Sequence, residues 1–75
     1  MNLSNEIKKI RQKSFMTQEE FASEFNVAFS SINRWENGKT VPNMKAMKQM
    51  KEFCEKKGFS FDELEEAWLE QTKNK

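Results

Sequence analysis

With 75 residues, 13 Lys and Arg against 12 Asp and Glu, one cysteine and no histidine, this chain has a narrow range of options. It is short enough to form one small domain, 1–75, with a core worth roughly 3–5 kcal/mol and no room for a second domain with a catalytic cleft, and no apolar run approaches the roughly 20 residues that span a bilayer. A lone cysteine excludes an internal disulfide framework and the lack of histidine a Cys/His zinc site, so no metal or cofactor is expected and Cys54 reads as a small apolar core residue.

Leu3, Ile7 and Ile10 recur at helical spacing, while Glu6, Lys8, Lys9, Arg11 and Lys13 fall largely elsewhere, which predicts an amphipathic helix over about 4–13. A second helix is predicted to begin at Gln18. Thr17 can accept the free amide of Glu20 while the Glu20 carboxylate takes the Thr17 amide, and Met16 can staple onto Phe21. Phe21, Ala22 and Phe25 form its apolar face. Asn26 then stands at a sharp corner, where asparagine accepts a left-handed backbone at modest cost. Ala22 is small enough for a third helix to cross closely, with Val27 and Ile32 filling the angle. That third helix, about 28–37, turns Ile32 and Trp35 inward. Gly38 supplies its left-handed stop and Pro42 keeps it from resuming, leaving Lys39 and Thr40 in a loop.

Asn43 reads as the cap of a fourth helix with the apolar stripe Met44, Met47, Met50, Phe53 and Cys54, closed by Gly58. Its three methionines suit an adaptable core. Ser60 and Glu63 read as a second capping box that opens a fifth helix over about 60–72, with Phe59 stapling to Leu64 and with Phe61, Leu64 and Trp68 as the apolar face. Gln71 to Lys75 are expected to fray. Without β-alternation, repeat or linker, the expected architecture is all-α, a compact bundle of five helices.

Two stretches, Thr17-Gln18-Glu19-Glu20-Phe21-Ala22 and Ile32-Asn33-Arg34-Trp35-Glu36-Asn37-Gly38-Lys39-Thr40-Val41-Pro42, resemble the xenobiotic-response-element (XRE) class of helix-turn-helix proteins, relatives of the phage Cro and lambda-repressor-like DNA-binding domains. The resemblance runs from about Ile7 to about Leu64, with the motif at about 17–38. Its specificity comes from coincidence of the initial glutamine, the small residue at the crossing, the spacing to Ile32 and the Trp-Glu-Asn-Gly run. Two positions depart from the pattern: Asn26 stands where the family has glycine, and Ala28 where a serine or threonine often caps the third helix.

The resemblance implies that the third helix enters the major groove and aims Phe29, Ser30, Asn33 and Arg34 at base edges. Their chemistry fits, because arginine pairs bidentately with guanine, asparagine with adenine, and a serine hydroxyl with either base or phosphate. Phe29 either meets a thymine methyl or packs on a neighbour. By the same resemblance Gln18, Lys39, Asn37 and Arg11 contact the DNA backbone, and Arg11 and Glu36 form a structural pair tying the first helix to the end of the third. Trp68 and Leu69 either cover the methionine stripe or form a dimer contact.

The charge is split unevenly. Residues 1–57 hold 11 Lys and Arg against 7 Asp and Glu, and residues 58–75 hold 2 against 5. A basic face toward phosphate with an acidic end turned away accounts for this, as does simple drift along a solvated surface. The resemblance implies sequence-specific binding of double-stranded DNA by a bacterial or phage-encoded cytoplasmic regulator, a repressor that occupies its operator as a homodimer. The alternative is a protein-interaction module on the same fold, such as an antitoxin or partner subunit. No nucleophile and base pair is present to suggest an enzyme.

Overall fold

A computed structural model describes residues 2–73. Five helices follow in order, α1 (Leu3–Lys13), α2 (Gln18–Glu24), α3 (Phe29–Glu36), α4 (Met44–Lys57) and α5 (Asp62–Thr72). Asn2 caps α1 by accepting the Asn5 amide at 3.2 Å, and at the other end the Ser14 hydroxyl donates to the Ile10 carbonyl at 2.9 Å. The capping box of α2 is complete. Thr17 N donates to Glu20 Oε1 at 2.9 Å, and Glu20 N donates to Thr17 Oγ1 at 3.1 Å. Asn26 turns the corner at φ +54, and the Val27 amide closes it on the Ala22 carbonyl at 3.0 Å.

No side chain caps α3, as expected from an alanine at position 28, and Ala28 contributes only its carbonyl, to the Ser31 amide at 3.0 Å. Gly38 ends the helix at φ +73. An added Cβ there would sit 4.0 Å from Ser4 Oγ, so the left-handed backbone rather than crowding calls for glycine. Asn43 caps α4 through the Ala46 amide at 2.9 Å, and Gly58 closes it at φ +78.

The core is one cluster drawn from every helix: Leu3, Ile7 and Ile10; Phe21, Ala22 and Phe25; Ile32 and Trp35; Ala46, Met47, Met50, Phe53 and Cys54; Leu64 and Ala67. Phe21, Phe25 and Phe53 meet edge to face at centroid separations of 4.7, 5.3 and 5.8 Å, which locks α2 onto α4. α1 packs against both α3 and α5. Trp68 is half-buried over this core, its indole N–H donating to the Pro42 carbonyl at 2.7 Å. No described helix is long and apolar enough to cross a membrane.

Three sequence expectations need correction. Met44 does not belong to the buried stripe; it is 64% exposed, because at about 100° per residue it lies about 120° round α4 from Met50, whereas Ala46, Met47, Phe53 and Cys54 all fall within about 60°. Ser60 and Glu63 form no capping box. The Ser60 hydroxyl instead accepts the Asp62 amide at 3.3 Å, and α5 starts at Asp62 after Phe59 and Phe61 have both packed on the core, which sets the entry path of the chain. Gln71 and Thr72 are helical rather than frayed, the Thr72 hydroxyl donating to the Trp68 carbonyl at 2.8 Å; Asn74 and Lys75 lie outside the described residues. Separately from these expectations, Phe15 adopts φ +58 in the turn after α1 and is 95% exposed, a conformation and a setting that its residue type does not announce.

Candidate nucleic-acid interface

The surface in question is built on α3, which has a fixed inner face. Ile32 and Trp35 are buried, so the helix cannot roll, and Trp35 is sealed in the core. The remaining positions are therefore presented outward by packing. Ser30 and Arg34 are exposed, Phe29 is half exposed, and Asn33 is partly covered. Among the described residues, neither the Ser30 hydroxyl nor the Arg34 guanidinium has a side-chain hydrogen bond, so both offer their full donor sets to an external partner. Lys39 is exposed in the loop just beyond, and its amide donates to the Arg34 carbonyl at 2.9 Å, which holds that loop against the end of α3.

A chain of polar contacts runs beside this face. The Glu36 carboxylate accepts Arg11 Nε at 2.6 Å, Arg11 Nη2 at 3.0 Å and Gln18 Nε2 at 3.0 Å. Gln18 Oε1 accepts Asn33 Nδ2 at 3.3 Å, and Asn33 Oδ1 accepts Asn37 Nδ2 at 3.0 Å. Arg11 also donates to the Met16 carbonyl at 2.9 Å. The ends of α1, α2 and α3 are thereby joined through one nearly buried carboxylate. Its hydrogen bond and charge raise the Arg11 pKa, partly opposed by burial.

This network brings together Arg11, Gln18, Asn33, Glu36 and Asn37, and it also uses up some of their hydrogen-bonding capacity. Arg11 spends three of its five N–H groups internally, on Glu36 and on the Met16 carbonyl. Gln18 keeps one amide hydrogen, and Asn33 keeps one hydrogen and one acceptor site. The bond between Gln18 and Asn33 was not anticipated from sequence. The i, i+3 and i, i+4 spacing of Asn33, Glu36 and Asn37 on one helical face was the available signal for a polar cluster there. Trp68 and Leu69 lie elsewhere, on the groove between α4 and α5.

Comparison with known proteins gives the same outline. A family described as helix-turn-helix matches residues 7–58. The HTH-type transcriptional activator BcrR of Enterococcus faecalis is 33% identical over 53 residues, which make up 71% of this chain and 26% of that protein. The chain thus spans about a quarter of the length of this relative. No solved structure matches it.

Proposed function

The chain belongs to the helix-turn-helix family, of the XRE type that its motif resembles, and from that premise we propose that it is a sequence-specific, double-stranded-DNA-binding transcriptional regulator that reads the major groove with α3. The observation that carries this reading is the pair of unengaged donors, Ser30 and Arg34, on a short helix that Ile32 and Trp35 hold fixed. Arg34 reads guanine O6 and N7, Ser30 and the remaining capacity of Asn33 add base contacts, and Phe29 offers an apolar edge to a thymine methyl. Gln18, Lys39 and Asn37 position the domain on phosphates, and Arg11 supports them from behind.

One such module buries about 600–1,000 Å² of protein surface, so we read operator binding as the work of two copies on half-sites roughly 34 Å apart. Occupying an operator is enough to repress, and repression is the sign we propose. Activation, which the name of the relative states for that protein, would call for a further surface that recruits another protein.

The test is a selection from randomised duplex DNA followed by fluorescence anisotropy on the selected site. Arg34→Ala should lose about 1–3 kcal/mol of discrimination at one base pair. Lys39→Ala should weaken binding to every sequence and flatten the salt dependence by about one phosphate contact. Equal affinity of the wild type for selected and random duplexes would overturn the reading, as would unchanged discrimination in Arg34→Ala.

A further inference from the structure

The Glu36 carboxylate, with its side chain 4% exposed, can only accept hydrogen bonds. Because it takes Gln18 Nε2 at 3.0 Å, the Gln18 amide turns its Oε1 the other way, and that oxygen accepts Asn33 Nδ2 at 3.3 Å. The same logic turns the next amide. With Nδ2 committed to Gln18, Asn33 faces Asn37 with its Oδ1 and accepts Asn37 Nδ2 at 3.0 Å. Side-chain amides of Asn37, Asn33 and Gln18 thus stand in series, each donating toward the carboxylate. A half-turn exchanges the oxygen and the NH2 of an amide with little change of shape, so the direction of such a series is decided by the group at its end. At one end stands Glu36, held by Arg11 Nε at 2.6 Å and Nη2 at 3.0 Å. At the other, Asn37 is exposed and makes no further side-chain hydrogen bond among the described residues.

We infer that Glu36 is a positioning residue for base reading: through Gln18 it fixes which end of the Asn33 amide displays a free N–H and which a free oxygen lone pair. The inference rests on the proposed DNA reading, in which Asn33 has one hydrogen and one acceptor site left to offer. Adenine presents its N7 acceptor beside its N6 amino donor, so asparagine pairs with both only when its own donor and acceptor lie in the matching order. In the opposite order the same side chain sets donor against donor and acceptor against acceptor. A neutral amide at position 36 would tolerate both orders; a carboxylate permits one.

The test begins with the site selected from randomised duplex DNA, on which Asn33→Ala and Arg34→Ala mark, by the preference each removes, the base pair each side chain reads. Glu36→Gln sets an NH2 where Gln18 needs an acceptor, while its oxygen still receives Arg11, so the series reverses or mixes. It should cut discrimination at the Asn33 base pair by roughly fivefold or more and leave that at the Arg34 base pair unchanged, whereas a merely loosened helix would lower both. Gln18→Met keeps the pair of Arg11 and Glu36 and serves if Glu36→Gln folds poorly. It should weaken binding to all sequences, through a lost phosphate contact, and relax the same single base pair. Asn37→Ala cuts the far end of the series and should weaken binding to all sequences while the preference at the Asn33 base pair stays. In the free protein, side-chain amide NOEs read the direction: the Gln18 NH2 protons lie beside the Glu36 γ protons in the wild type and beside the Asn33 β protons in Glu36→Gln. Full preference at the Asn33 base pair in Glu36→Gln or in Gln18→Met overturns the inference, as does a reversed or mixed NOE pattern in the wild type. Asn33→Ala with every preference intact overturns it too and leaves the DNA reading standing on Arg34. A wild type without any sequence preference overturns the DNA reading itself, and the NOE pattern then still decides whether Glu36 directs the series.

Discussion

Replacing Glu36 with alanine tests how far three helices depend on one carboxylate. The Glu36 side chain is 4% exposed and accepts Arg11 Nε at 2.6 Å, Arg11 Nη2 at 3.0 Å and Gln18 Nε2 at 3.0 Å. Its loss leaves the Arg11 guanidinium, itself 14% exposed, with the Met16 carbonyl as its remaining acceptor. Removing one partner of a buried pair costs about 3–5 kcal/mol, whereas an exposed pair is worth about 0–1. Water can reach Arg11 from its open edge, which places the loss near 3 kcal/mol. A single-core domain of 75 residues has only roughly 3–5 kcal/mol in all, so this one change removes a large share. Urea unfolding followed by the fluorescence of Trp35 and Trp68 should show a midpoint lower by about 2–3 M, at a slope near 1 kcal/mol per molar. The double variant Arg11→Met with Glu36→Leu, which leaves no charge stranded, should recover much of that loss. A cost below about 1 kcal/mol for Glu36→Ala would show that the pair behaves as a surface contact and would refute the reasoning.

Two further outcomes follow from conformation and burial. The exposed Phe15 ring contributes no packing that the structure explains and holds φ +58, so Phe15→Asn should raise stability by about 0.5–1 kcal/mol in the same urea titration; a loss would mean that the ring is packed. Burial pushes the Cys54 thiol above its ordinary value, against the opposing pull of Lys13. Only the unfolded thiol therefore ionises at moderately alkaline pH, and the stability Cys54 contributes is complete below about pH 8.5 and declines as pH rises beyond it. Between pH 7 and pH 10 wild type should lose stability that Cys54→Ala does not lose. Parallel declines in the two proteins would contradict this.

Much of the fold was legible because its signals are local. Thr17 with Glu20, Asn26, Gly38, Asn43 and Gly58 each act on backbone within a few residues, and the structure realises every one of these caps and turns. The expectation at Ser60 and Glu63 misled because a capping box competes with tertiary packing, and the demand to bury Phe59 and Phe61 prevailed. Met44 misled because spacing of three from Met47 does not say which side of the stripe lies inside. At the candidate interface, the inward positions Ile32 and Trp35 could be read from periodicity. The engagement of Asn33 by Gln18 could not, since it depends on how closely two helices meet at a corner.

Under the proposed reading, the layout of α3 bears on how such a protein would change its target over generations. Among the described residues Ser30 and Arg34 make no side-chain hydrogen bond, and Phe29 stands half free, so a replacement at any of the three alters what the helix displays with little effect on whether the bundle folds. If α3 reads bases as proposed, new preferences can therefore arise one residue at a time without an unstable intermediate. Asn33, held by Gln18 on one side and Asn37 on the other, is bound to its neighbours, and any drift there must carry them along.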